Sequence, residues 1–490
     1  VLVAESLLDD RAWDGKLYSG GWTAGGGAAI AVLDKATGEQ LGEVAAATAD
    51  DVARAAEVAQ EAQGAWRETY AVERRAVFVR AARLLEDHHA ELADWIVRET
   101  GGVRPKAEFE LKMSTDELLE AAAMPTQPTG LVVPGAQPGI TSIARRIPRG
   151  VIGVITPWNF PLILALRSVA PALALGNAVI LKPDPQTPVA GGFALARIFA
   201  EAGLPEGLFH VLPGDAETGE AIVSDPRIGT ISFTGSTEVG RRVNELAAPS
   251  MKKVALELGG NNAYIVLDDA DLEAASSAGA WGSFLHQGQI CMTAGRHIVH
   301  ERIADDYVEA LAERANRLPV GNPFEEEVAL GPIINERQLD RVVRIVGETV
   351  DAGATLVAGG THEGPYYKPT VLSGVTPEMA AFKEEIFGPV APVTVVGSDE
   401  EAIALANQTP WGLVAAVQTG SPQRAQRIAD QLRTGLVHVN DQTVNYESYI
   451  PFGGVGDSGN GGRFGGAASF DEFTEWQWLT LRDTATPYPF

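Results

Sequence analysis

The stretch Val151-Ile152-Gly153-Val154-Ile155-Thr156-Pro157-Trp158-Asn159-Phe160-Pro161 decides the fold reading. An apolar run ends in a turn braced by two prolines, and Leu162–Leu175 then follows with a helical apolar pattern. The same unit recurs downstream. Apolar runs at Ala178–Leu181, Leu208–Leu212, Gly229–Phe233 and Lys253–Leu256 alternate with helical segments at Pro188–Ala202, Ala216–Val223 and Thr237–Ala247. This alternation predicts an α/β fold with a doubly wound parallel sheet, and strands without polar faces suit a sheet covered on both sides.

Working outward, Thr48-Ala49-Asp50-Asp51 reads as a capping box ahead of Val52, Ala55, Ala59 and Ala62 at helical spacing. A second helix is predicted from about Val72 to Arg98. Pro125–Gly139 is rich in proline and glycine and reads as an irregular connection, and Arg145 and Arg146 lie in a short extended segment ending at Gly150. On the other side, a second α/β stretch runs from near Leu258 to about Asn440. A glycine-dense loop, Gly453–Gly466, and a strand-rich tail, Phe470–Leu481, complete the chain.

Composition narrows the function. With 490 residues, 45% of them hydrophobic and 21% charged, the chain has the balance of a globular protein with a large core. The net charge of −26 argues against nucleic acid and anionic membrane surfaces as partners. A single cysteine, Cys291, excludes an intrachain disulfide and points to a reducing cytoplasm. Val1–Glu5 shows no basic region followed by an apolar core, so no signal peptide is expected. The longest uncharged stretch, Ala274–Gly295, carries Ser, Gln, His and Gly throughout and reads as a buried helix leading into a loop, with no membrane span.

Five places carry candidate chemistry. Cys291, in Gly288-Gln289-Ile290-Cys291-Met292-Thr293, reads equally well as a small core residue or as a nucleophile, which would need access and some thiolate character. Glu257 ends an apolar strand ahead of two glycines. It is either a solvated strand-end carboxylate or a partly desolvated general base. Asn159 is either a helix cap or an amide aimed at an oxyanion. Lys182, again at a strand end, is a surface lysine or a nucleotide contact. Phe233-Thr234-Gly235-Ser236-Thr237-Glu238-Val239-Gly240 passes from strand through a glycine turn into a helix, which suits close approach by a dinucleotide. Gly456-Asp457-Ser458-Gly459 imitates a serine-protease motif but sits in a glycine-loaded loop. His297 and His300, three apart in a predicted strand, face opposite ways, and no metal site is predicted.

Taken in order along nearly the whole chain, these motifs resemble the aldehyde dehydrogenase superfamily: Pro157–Pro161, Lys182-Pro183, Phe233–Ser236, Glu257–Gly260, Gly288–Cys291, Glu385-Ile386-Phe387-Gly388-Pro389 and Pro451–Gly454. The resemblance implies that Cys291 attacks an aldehyde carbonyl, that Asn159 and the Cys291 amide hold the oxyanion, and that Glu257 activates the water that hydrolyses a thioester. It implies NAD or NADP as cofactor, contacted by Thr156, Trp158, Lys182, Gly235, Ser236, Gly240, Leu258, Gly259, Glu385 and Phe387. Many members have Lys-Pro-Ser-Glu, whose glutamate binds the ribose 2′-hydroxyl. Here that place is Pro185, so NADP is expected to be accepted beside NAD. Where many members have Gly-Arg-Glu-Leu, this chain has Gly462-Arg463-Phe464-Gly465, so no relay role carries over.

Lys182–Pro188 and Asn440–Asn445 look like the benzaldehyde and vanillin dehydrogenase branch, with a substrate slot expected from Trp158, Ile290, Met292, Tyr446 and Phe452. No arginine stands beside the Cys291 motif, which disfavours an acidic semialdehyde. A CoA-acylating enzyme is disfavoured by Glu257. A non-catalytic protein on the same scaffold is disfavoured by the joint presence of Asn159, Glu257 and Cys291. The resemblance further implies a cofactor domain (1–128 and 149–257, with 442–466 returning to it), a catalytic domain (258–441), and a small β arm (129–148 and 467–490) that joins a homodimer or homotetramer.

Overall fold

The structure, a computed structural model, describes residues 6–8, 11–485 and 487–490. The Val1–Glu5 segment read above for a signal peptide lies outside the described residues. Val151–Ile155 is buried along its length at the centre of the first sheet. Five parallel strands run in the order Lys253–Glu257, Ile228–Thr234, Val151–Ile155, Ala178–Lys182, Phe209–Val211. Two antiparallel strands, Lys16–Ser19 and Trp22–Ala24, extend the far edge. Gly153 is required in the central strand, because a Cβ there would come within 2.6 Å of the Ile222 side chain on the covering helix. The winding reverses between Val151–Ile155 and Ile228–Thr234. The crevice beyond their carboxyl ends, at Thr156 and Gly235, is where such a sheet receives a ligand.

A second sheet runs Thr355–Ala358, Thr370–Ser373, Val390–Val396, Ala294–His300, Asn262–Val266, Val414–Gln418, Leu436–Val439, parallel except at the Thr355–Ala358 edge. Alternate residues enter separate cores, Tyr264 and Val266 on one face and Ala263 and Ile265 on the other. A third sheet stands apart: Thr474–Arg482 pairs along all nine residues with Ile140–Pro148, which also pairs with Gly130–Pro134. Leu131, Val132, Trp476 and Trp478 are exposed on it.

Four sequence expectations need correction. The predicted helix from Val72 to Arg98 is two helices, Ala71–Asp87 and His89–Thr100, because the polar run Glu86-Asp87-His88-His89 interrupts the apolar phase and His88 leaves the helical backbone. Pro188–Ala202 opens with a π turn, Val189–Phe193, where the buried Glu99 carboxylate accepts the amides of Val189 and Ala190. Pro125–Gly139 contains the strand Gly130–Pro134, formed because Ile140–Pro148 offers it a partner. Phe470–Leu481 begins inside a helix, Ala468–Phe473, before the strand starts at Thr474. The capping box at Thr48 forms as read, with Asp51 returning a hydrogen bond from the Thr48 amide at 2.8 Å. No described helix is long and apolar enough to cross a membrane.

Candidate active site

Asn159 sits in the turn after the central strand, 3% exposed, and is held from behind. Helix Pro161–Ala174 has no side-chain cap of its own. Glu110, on helix Arg104–Ala123, instead accepts the amides of Leu162 and Ile163 at 2.7 and 3.3 Å, supplying negative charge at the helix N-terminus. Lys106 neutralises Glu110 at 2.6 Å and lies 4.3 Å over the Phe160 ring. So anchored, the Asn159 amide donates to the Gln289 carbonyl at 2.9 Å, leaving its second amide hydrogen without a protein acceptor among the described residues.

The loop carrying Cys291 takes a costly path. His286 and Gln287 both have left-handed backbones, followed by Gly288 at φ 65°. Side chains hold it there: Gln287 donates to the carbonyls of Gly101 and Pro332, and Gln289 accepts the Ile334 amide. Asn262 donates to the carbonyls of Cys291 and Thr293, both at 2.8 Å. Cys291 itself is partly exposed. Burial of its sulfur pushes the thiol up to about 12; Arg167 opposes that, and Glu257 and Glu385 reinforce it. Thiolate character, expected of a nucleophile, is therefore not supplied by these side chains. A nucleophilic role for Cys291 would therefore require the thiol to give up its proton against these influences.

Glu257 is 2% exposed, and its Oε1 has no hydrogen-bond partner among the described residues. Burial pushes its carboxyl up to about 8 against the pull of Arg167, Arg463 and the Gly454 amide, and Glu472 adds to the rise. A Cβ on Gly453 would come within 2.6 Å of Oε1, so glycine is needed where the C-terminal loop crosses the carboxylate. A carboxylate poised near 8 has the basicity of a general base at moderate pH.

The remaining predicted residues cluster at the strand ends. Lys182 is 7% exposed, and its amine makes one long bond, 3.5 Å, to the Pro183 carbonyl. Thr156 Oγ1 is buried without a hydrogen-bond partner among the described residues. Ser236 caps helix Thr237–Ala247. Added Cβ atoms would strike Phe233 at Gly235, Leu258 at Gly240 and the Glu385 carboxylate at Gly259. Glu385 accepts the Gly260 amide at 2.8 Å, and burial pushes its carboxyl up to about 7. Phe387, left-handed at φ 56°, meets Trp158 edge-on at 5.6 Å. A crevice at the winding reversal, a buried underpaired lysine and close-packed glycines fit a dinucleotide.

A cavity of about 470 Å3, mouth included, opens on the other side of Cys291 and Asn159. Ile290, Met292, Tyr446 and Phe452 line it as read from the sequence; Trp158 does not, being turned to Phe387. Sequence reading missed Phe109 and Met113, four apart on helix Arg104–Ala123, and Ile163 and Arg167, four apart on helix Pro161–Ala174. That i, i+4 spacing was the available signal. No arginine adjoins Cys291 in the sequence, but Arg167, far from it in the chain, lines the same cavity. It is 1% exposed, donates to Thr234 Oγ1 at 2.8 Å, and lies 5.3 and 5.0 Å from the Phe452 and Phe464 rings.

The decoys have structural employment. Ser458 is fully buried, donating to the Gly259 carbonyl and accepting the Gly412 amide. His297 bonds Ser283 and Tyr307. Among the described residues no His, Cys, Asp or Glu cluster has metal-holding geometry.

Comparison with known proteins agrees with this geometry. The aldehyde dehydrogenase family profile matches residues 22–479. The chain is 54% identical to a vanillin dehydrogenase of Amycolatopsis sp., covering 99% of this chain and 100% of that one. It is 51% identical to a benzaldehyde dehydrogenase [NAD(+)] of Pseudomonas putida, over 98% of each chain. A crystal structure of succinate-semialdehyde dehydrogenase from Burkholderia pseudomallei superposes with a TM-score of 0.94 at 36% identity, covering 98% of this chain and 100% of that one. With the family profile spanning nearly the whole chain and relatives above half identical along nearly their full length, this protein belongs to the aldehyde dehydrogenase family.

Proposed function

We propose that the protein oxidises an aromatic aldehyde to its carboxylic acid with NAD or NADP. The observation that carries this reading is the apolar, aromatic-walled cavity that has Cys291 and Asn159 in its lining. The names of the Amycolatopsis and Pseudomonas relatives point to the same substrate class. The Cys291 thiol releases its proton to solvent and its sulfur adds to the aldehyde carbon. The Asn159 amide and the Cys291 main-chain amide receive the negative charge on the former carbonyl oxygen. The dinucleotide, when bound, supplies the acceptor for the hydride that leaves this thiohemiacetal. Glu257 then takes a proton from water, the hydroxide adds to the thioester carbon, and the acid departs as the thiol is restored.

Lys182, Thr156, Gly235, Ser236, Gly240, Leu258 and Gly259 would hold the dinucleotide, with Glu385, Phe387 and Trp158 at its nicotinamide end. Pro185 leaves no carboxylate where a 2′-phosphate would lie. Asp184 instead accepts the Gln186 amide, and Lys35 and Lys182 offset its charge, which supports use of both cofactors. The two seven-stranded sheets and the three-stranded one support division into cofactor, catalytic and arm units. The exposed Trp476, Trp478 and Val132 on the arm support pairing with a second copy. One cysteine and a strongly acidic surface support a cytoplasmic location.

A second reading, an acidic semialdehyde, is favoured by Arg167 in the cavity. Absorbance at 340 nm with benzaldehyde, vanillin, hexanal and succinic semialdehyde, each with NAD and NADP, separates the two. Preference for the aromatic aldehydes is expected, and preference for succinic semialdehyde or hexanal would overturn the aromatic assignment.

A further inference from the structure

We propose that Tyr446 and Glu117 form a hydroxyl-reading pair at the wall of the Cys291 cavity, selecting aromatic aldehydes that carry a ring hydroxyl donor. The inference rests on the aromatic-aldehyde reading above. Phe160, Ile163, Ile290, Met292 and Phe452 already give a plain aromatic ring the apolar walls it needs. A polar pair set into that wall adds nothing for such a ring. Glu117, on helix Arg104–Ala123, is fully buried. Its Oε2 accepts the Tyr446 hydroxyl at 2.7 Å, while Oε1 has no hydrogen-bond partner among the described residues. Enclosing a half-satisfied carboxyl in this way is costly, and two apolar residues would fill the space more stably.

What the pair provides is polarity of a defined sense. Tyr446 lines the cavity, and its ring is fixed edge-on against Phe452 at 5.7 Å. Its one hydroxyl proton is committed to Glu117, so to any further group the phenol oxygen can only accept. A hydroxyl on the substrate ring completes a chain from substrate to Tyr446 to Glu117, strengthened by the carboxylate at its end. An unsubstituted ring leaves the Tyr446 oxygen unpaired, and a methoxy group, having no donor, does the same. Sites built to bond a hydroxyl discriminate strongly against analogues that lack it. Arg167 shares the cavity but is a donor, so it would read an anion.

The test compares kcat/KM for 4-hydroxybenzaldehyde, benzaldehyde, 4-methoxybenzaldehyde and 4-carboxybenzaldehyde in the wild type, Tyr446→Phe and Glu117→Gln. The wild type is expected to favour the hydroxylated aldehyde over the other three. Tyr446→Phe should shrink the hydroxy-to-unsubstituted ratio about tenfold or more, carried mainly by KM, and Glu117→Gln should shrink it less. Tyr446→Phe removes a single oxygen, so it carries the test should Glu117→Gln fold poorly. A merely structural role would lower all four substrates together and leave the ratios unchanged, which would overturn the pair. Equal favour for 4-carboxybenzaldehyde would give selection to Arg167 and also overturn it. A wild type inactive on all four would instead remove the aromatic reading on which the inference stands.

Discussion

The Asn159 side-chain amide donates to the Gln289 main-chain carbonyl at 2.9 Å, so the group proposed to receive an oxyanion also tethers the loop that carries Cys291. Nucleophile and oxyanion donor are thereby positioned against each other rather than independently. Asn159→Ala should remove both functions. Loss of an oxyanion donor alone lowers kcat by ~10²–10³, and the untethered loop should add to that. Steady-state turnover at saturating benzaldehyde checks this; a kcat within a few-fold of wild type would remove Asn159 from the reaction.

The general-base role proposed for Glu257 implies a pH dependence of the reaction. Burial pushes its carboxyl up to about 8, and only the ionised form can take a proton from water. Below that pH the base is progressively protonated, so the hydrolytic rate should rise with pH and level off above about 8. In Glu257→Gln a burst of reduced dinucleotide should precede slow turnover, and the ascending limb should vanish. A limb that survives the substitution would assign it to another group.

Pro185 stands in the sequence where many members of the family carry the glutamate that binds the ribose, which is the basis of the dual-cofactor proposal. Pro185→Glu should turn preference away from NADP and towards NAD through like-charge repulsion with the 2′-phosphate. The measured quantity is the ratio of kcat/KM values for the two cofactors, and an unchanged ratio would exclude this position from cofactor choice.

Lys106 and Glu110 are both fully buried and paired, with Glu110 also capping the helix that follows Asn159. Glu110→Ala leaves a buried ammonium uncompensated and two helix amides unbonded, a loss of ~3–5 kcal/mol for such broken pairs. A clear fall in Tm by calorimetry is expected; an unchanged Tm would show that solvent reaches Lys106.

The first sheet was legible because its strands are uninterrupted apolar runs closed by glycine or proline, as at Val151–Ile155 and Lys253–Glu257. The catalytic candidates could be named from the sequence because each stands at a strand end or in a turn braced by glycine or proline. Other features depended on distant partners. Gly130–Pro134 becomes a strand only because Ile140–Pro148 pairs with it. Arg167 and Glu117 carry no sequence signal of burial, yet both are buried, Arg167 in the lining of the Cys291 cavity. Trp158 was given to both cofactor and substrate because sequence does not show the left-handed Phe387 that draws it to one side. The protonation of Cys291 was equally hidden, since it follows from desolvation beside Glu257 and Glu385.

The central claim is that Cys291 bears the acyl group. Glu257→Gln mixed with benzaldehyde and NAD, quenched in acid after the burst and mapped by peptide mass spectrometry, tests it most directly. The account predicts a benzoyl group on the peptide containing Cys291, in proportion to the NADH released in the burst. A stoichiometric burst with Cys291 unmodified would contradict it.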